Sequence, residues 1–405
     1  MPNTAARPGA PTASSRASRL KPALIPFFGL IDAVIVEAPV EFAFEGAIPR
    51  DAAIAAWVWV GRDLAPDLVD IEAIGDQAVM AEALETLMPD ILARAGEALR
   101  ASASDAEAAR RLRSQLGNEA NFEKLPTVIT ALRARAVLAK AQAFGRAANQ
   151  MSDELGLATA LQAMPMNDSV VAPLMMTAAV GQISNPSQLV LGAIHIAGGS
   201  SESALARAGY APLIDAVLAH AQDQLHLMAP VGTFSDVDLL CRAVDRFHRL
   251  IRAVNGYVEL ARNGRWSVAV GGLIKVVSER IEPRLREAGP DLNRAMRRRE
   301  GTDRLDSDQI LLALNGTYLL ATVRDCRDSL ALNTVFDQAW AQVGQGLEIH
   351  LERCLEILRA NPADRIAAAR LDAGIKMAEL RFSADYAEVL RRAKDAAERR
   401  LNLQA

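Results

Sequence analysis

Aromatic residues make up 4% of these 405 residues, and cysteine occurs three times, at Cys241, Cys326 and Cys354, with no C-x-x-C pair. So odd and scattered a set builds neither a disulfide framework nor a zinc knuckle, and it suits a reducing compartment. Phosphate-binding patterns of the G-x-x-x-x-G-K-[ST] and G-x-G-x-x-G kinds are missing. So are H-E-x-x-H, a nucleophile elbow, the kinase motifs and a Glu-x-x-His di-iron pattern. An enzyme is therefore the least supported class, and neither a cofactor nor a metal is expected. A net charge of −4 argues against a nucleic-acid partner, whose footprint is normally a strongly basic domain.

The largest absence is local. In a chain that is 23% charged, Ser169 to Ser201 runs for 33 residues without Asp, Glu, Lys or Arg, and no Lys or Arg occurs between Arg146 and Arg207. Burial, a partner and a membrane are the physical reasons for such a gap. A membrane span needs about 20 consecutive apolar residues. Here "SVVAPLMMTAAVG" and "LVLGAIHIAGG" are shorter and are separated by the polar "QISNPSQ". The pattern predicts two short apolar helices turning at Asn185 and Pro186, with burial ranked first, a partner interface second and membrane contact third.

What is present is helical. Ala, Leu and Arg are abundant, and the length allows two or three domains at about 150 residues each. The expected fold is all-α, a multi-helix bundle with two packed subdomains as one option. At most a short β-hairpin or edge strand is expected near residues 33–45, where Val40, Phe42 and Phe44 alternate with Glu41, Ala43 and Glu45. Trp57 and Trp59 lie two apart, on nearly opposite sides of a helix, and read as core anchors. Helices are expected at 68–87, 89–102, 105–116, from about 126 to 150, and from Pro212 to about 228. Ser104 and Glu107 have capping-box spacing at the start of the third, and Gly117 ends it.

Beyond "APVGTFSD", the best internal boundary, Ser235 or Asp236 opens a helix with Leu240, Val244, Phe247, Ile251, Val254 and Val258 in alternating steps of four and three. Further helices are expected at 265–287, 290–299, 307–331, 334–360, 363–380 and 384–402. The chain thus divides into a tail, 1–21, whose composition is that of a disordered segment; a helical domain, 22–233, containing the uncharged Met-rich module 147–206; and a helical domain, 234–405, with the basic segment 242–304. The tail lacks the apolar core of a secretory signal, which leaves a cytoplasmic protein as the expectation and an exported one as the alternative.

Candidate chemistry is sparse. His350 and Cys354, four apart, share a helix face, but both sit on an apolar stripe with no second ligand pair, so they read as structural. His220 and His226 point to different sides of one helix, and His248 lies on the arginine-rich side beside Asp245. "AGGSSES" reads as a turn followed by an N-cap. "VRDCRDS", with Arg324, Asp325, Arg327 and Asp328, reads as a salt-bridged flank.

Five of eleven methionines fall between 151 and 176, and flexible thioethers suit a surface that repacks against a partner. Between Asp63 and Asp90 there are eight acidic residues and no basic one, while Arg246 to Arg299 carries thirteen basic and five acidic. The expected function is a non-enzymatic intracellular scaffold or adaptor that binds a protein or itself through Met164, Met166, Met175, Met176, Arg242, Arg246, Arg249, Arg297 and Arg298. The alternatives are a membrane-active or exported effector that uses the 169–201 hairpin, with peripheral membrane contact, and an enzyme of unknown type.

Overall fold

The computed structural model describes residues 26–37, 41–69, 77–151, 153–166, 168–229, 236–298 and 304–402. The tail, Val40, Asn167, Arg299 and most of "APVGTFSD" lie outside them. The fold is all-α, with one two-stranded sheet among the described residues. It divides into two units, residues up to His220 and residues from Ala221 onward.

The first unit contains α1 (Pro26–Ile31), α2 (Arg50–Trp59), α3 (Gln77–Ser104), α4 (Ala106–Leu116), α5 (Glu119–Ala148), α6 (Glu154–Gln162), α7 (Val171–Val180), α8 (Pro186–Ala197), α9 (Glu202–Arg207) and most of α10 (Ala211–Asp223). Both tryptophans of α2 are buried, and the Trp59 indole N–H donates to Gln115 Oε1 at 3.3 Å. The helix continues into a π-helical turn, Val60–Leu64.

The sheet is not a hairpin. Strands β1 (Ile35–Val36) and β2 (Ile48–Pro49) pair in parallel, Ile35 opposite Ile48, and residues 41–46 between them form bends and a turn. The alternation at 41–45 does not form a strand; Lys124 Nζ donates to Phe44 O at 3.3 Å and to Ala47 O at 3.2 Å in this loop. Burial pushes that ammonium below its ordinary pKa. Gly46, at φ +79°, lies against the backbone of α7, where a Cβ would stand 2.3 Å from the Pro173 carbonyl.

Several helix boundaries differ from the local signals: α5 opens at Glu119, seven residues before the expected start, and carries Pro126 inside it. Helix α3 passes through Pro89 where a break was expected, with Met88 and Ile91 buried on either side of it. Tertiary burial there outweighs the hydrogen bond that proline removes. The N-cap of α4 is Asp105, whose carboxylate accepts from the amides of Glu107 and Ala108, while the Ser104 hydroxyl donates back to Arg100 O at the end of α3. Gly117 closes α4 at φ +88° as its position implies.

Every residue of α7 from Ala172 to Val180 is buried. Gly145 of α5 permits this approach, since a Cβ there would lie 2.3 Å from Ala179 O. Pro186 opens α8 and Gly198 closes it at φ +67°, so the turn falls at Asn185 and Pro186. Helix α8 is covered on one side by α6 and α9, and Leu189, Val190, Gly192 and Ala193 are buried while His195 is exposed.

The second unit contains α11 (Val237–Asn255), α12 (Arg265–Met296), α13 (Ser307–Cys326), α14 (Asn333–Ala360), α15 (Arg365–Arg381) and α16 (Ala384–Asn402). The α11 stripe from Leu240 to Val258 is buried throughout, and Asp236 caps the helix. Helix α12 runs unbroken through Pro283 and Pro290, joining two expected helices into one. Two polar contacts tie α11 to the α13 chain: Tyr318 Oη donates to Asp238 Oδ1 at 3.5 Å, and His248 Nδ1 lies 3.0 Å from Ser329 Oγ. Their offsets, 80 and 81 residues, make α11 and α13 parallel neighbours in register.

On α14, Phe336, Val343, Leu347 and Cys354 are buried, and Trp340 is half-buried. The Arg381 guanidinium lies 4.2 Å from the Trp340 ring centre and 4.9 Å from that of Phe382, and its Nε donates to Trp340 O. Gly344 leaves room for it, since a Cβ would be 2.6 Å from Nη2.

Candidate functional site

The methionines expected at a partner surface divide between core and rim. Met175 and Met176 lie inside the first unit, 2% and 0% exposed, because α7 is enclosed by α5 and the loop at Gly46. Met176 is fully enclosed, and Met175 keeps only a small accessible edge. Met164 and Met166 are half-buried in the chain leading into α7, with Met164 against the same core.

That chain forms one wall of a cleft of about 520 Å³. The other wall is a stripe of α5, Thr130, Arg133, Ala134 and Val137, at helical spacing on one face. Opposite lie Pro165, Asp168, Val170, Val171 and Met175. Asp168 is committed to α7: its Oδ1 accepts from the amides of Val170 and Val171 at 2.9 and 3.2 Å. The Thr130 hydroxyl donates to Pro126 O. Arg133 forms no ion pair or hydrogen bond with another described residue. Nothing in the sequence marks this cleft, because it arises where two remote segments fail to close on each other.

Five cations of the basic segment are ion-paired within the second unit. Arg242 pairs with Asp238, Arg249 with Asp245, Lys275 with Glu279, Arg286 with Glu282, and Arg294 with Asp291 and Glu287. Arg280 and Arg284 donate to the carbonyls of Leu225 and Ala229. Arg246 is half-buried, and burial together with Arg249 lowers its pKa to about 10, so it stays charged at neutral pH. Arg297 and Arg298 are exposed beyond the end of α12. Three residues of the acidic stretch are paired within the first unit, Asp63 with Arg62, Asp67 with Arg94 and Glu85 with Arg135.

No protein-family model matches this chain, and no curated protein or solved structure is detectably similar to it. What the molecule does is therefore argued from its own residues.

The remaining sequence candidates have structural partners. His220 Nε2 lies 2.7 Å from Thr177 O, and His226 Nδ1 contacts Asp223 O. His350 Nε2 lies 3.1 Å from Asn293 Oδ1, and Cys354 is buried one turn away. Burial and the carboxylates of Asp245 and Asp325 push the Cys326 thiol up to about 12, which leaves it protonated and unreactive. Ser201 caps α9 by accepting from Ala204 N. Arg324 pairs with Asp325 and Arg327 with Asp337. Among the described residues no group of three His, Cys, Asp or Glu is placed to hold a metal ion.

Two histidines make the second unit sensitive to acid. Burial lowers the His248 pKa, reinforced by Arg252 and Arg249 against the opposing pull of Asp245 and Asp328; burial also lowers that of His350, with Arg353 and Arg370. A histidine whose folded pKa is depressed leaves the unfolded chain binding more protons, so stability falls as pH drops below the unfolded value of about 6.5. Thermal melts at pH 7.5 and 5.0 are expected to show this loss. The double variant His248→Gln/His350→Gln, which keeps hydrogen-bonding side chains, is expected to lose less over the same interval; an equal loss would remove the histidines as its cause.

Proposed function

We propose that this chain is a cytoplasmic, non-enzymatic helical scaffold or adaptor that binds an acidic protein through the outer face of the α11–α13 pair. The observation that carries this reading is the composition of that face. Leu239 and Tyr318 are 41% and 37% exposed beside Arg242, with Arg249 and Arg252 continuing the exposed stripe along α11. Arginine and tyrosine are the residues enriched where protein interfaces draw their energy, and the parallel register places them on adjacent helices. Two of the three arginines on this stripe, Arg242 and Arg249, are balanced by Asp238 and Asp245, which favours a protein partner over a phosphate backbone. No described helix is long and apolar enough to cross a membrane.

The test is quantitative affinity capture from cells with wild type and with Arg242→Glu/Arg249→Glu/Tyr318→Ala, alongside sedimentation of the purified proteins. Wild type is expected to retain an acidic partner at low salt, and the variant, folded by circular dichroism, to lose at least about tenfold of it, as for truncation of a central Tyr or Arg. A monodisperse wild-type monomer that retains the same proteins as the variant would overturn the reading.

A further inference from the structure

The cleft between α5 and the chain entering α7 belongs to the first unit, and its chemistry differs from that of the α11–α13 face. Its size, about 520 Å³, falls in the range of small-molecule sites, roughly 300–1,000 Å³. It is short for a docked helix. Its walls are mainly aliphatic, and Met175, an adaptable thioether, lies in them.

Its polar groups are few and mostly spent. Asp168 holds the first amides of α7 and Thr130 bonds within α5, whereas Arg133 makes no ion pair or hydrogen bond with any described residue, Asp168 included. The exposed guanidinium lies beside Gly96 of α3, where an added Cβ would come within 3.0 Å of Nη2. A mainly aliphatic cleft whose lining includes an arginine that pairs with no described residue complements a molecule with an apolar body and one negative end. We infer that this cleft binds a small anionic amphiphile, its chain against Val137, Val171 and Met175 and its anionic head on Arg133.

The probe is decanoate, titrated calorimetrically into the full chain below its micelle concentration. Saturable binding to wild type is expected, weakened at least about tenfold by Arg133→Gln, the scale of a lost charge-assisted hydrogen bond. Val170→Glu, at a lining position 59% exposed, places a like charge at the mouth and is expected to weaken binding without touching Arg133. Acetate, a head without a chain, is expected to show no heat. Decyl phosphate bound with the same dependence on Arg133 would assign the head to phosphate-bearing lipids as well as carboxylates; binding of decanoate alone would assign it to carboxylates. The inference is overturned if decanoate does not bind, if Arg133→Gln binds it equally, or if decyltrimethylammonium binds as tightly, which would mean apolar adsorption.

Discussion

Met176→Asp is expected to abolish cooperative unfolding of the first unit. The side chain is 0% exposed in a helix buried from Ala172 to Val180, so the substitution places a carboxylate in the core. An uncompensated buried charge costs about 3–5 kcal/mol, a large part of the 5–15 kcal/mol that holds a domain folded. Met176→Leu, which conserves volume, is expected to cost less than about 1.5 kcal/mol. The informative comparison is His195→Asp on exposed α8 in the same uncharged stretch, expected within about 0.5 kcal/mol of wild type. Denaturant melts of the three proteins separate the causes of the missing charges. Burial predicts collapse at 176 and tolerance at 195; equal tolerance at both would mean that a partner or a membrane had removed them.

A second large effect is expected at Gly46. Ala there must adopt φ +79°, which costs an L-residue about 1–2 kcal/mol, and must also push its Cβ into the Pro173 carbonyl. Because the obstacle is backbone, the overpacking adds about 1–3 kcal/mol, for a total of about 2–5 kcal/mol. Gly117→Ala is the control: its φ is +88° but nothing lies within 4 Å of the added atom, so it should carry the conformational cost alone. Chemical denaturation is expected to show Gly46→Ala as the more damaging by at least about 1 kcal/mol. Equal losses would mean that the loop does not press against α7.

These two sites locate what could be read in advance. The periodic signals were legible: the α11 stripe, the Asn185–Pro186 turn and the Gly117 terminus all stand where spacing places them, because each depends on residues within a few positions of one another. The failures share a cause. At Pro89 and Pro290 a local stop signal is overruled by burial of the flanking turns, and at 41–45 a strand-like alternation gives way to bends and a turn, with Lys124, 80 residues away, donating to Phe44 O. Ser104 and Asp105 are adjacent candidates for one cap, and the end of α3 takes the serine.

The candidate surfaces were less legible than the fold. Methionine enrichment marked the segment from 151 to 176 as a whole, but composition does not distinguish Met176 in the core from the half-buried Met166. The arginines of α11 were visible as a stripe, whereas their neighbour Tyr318 was not, since a parallel register 80 residues apart leaves no periodic trace. Arg133 carried no signal at all.

By itself the sequence determined an all-helical chain, the amphipathic faces of its longer helices and a central segment that excludes charge. Those follow from propensity and periodicity, which act over a few turns. Only the tertiary structure decided which methionines are enclosed, which glycines must stay bare, which arginines are neutralised and where a cleft remains open. Those depend on the approach of backbones distant in sequence, where a fraction of an ångström separates contact from collision.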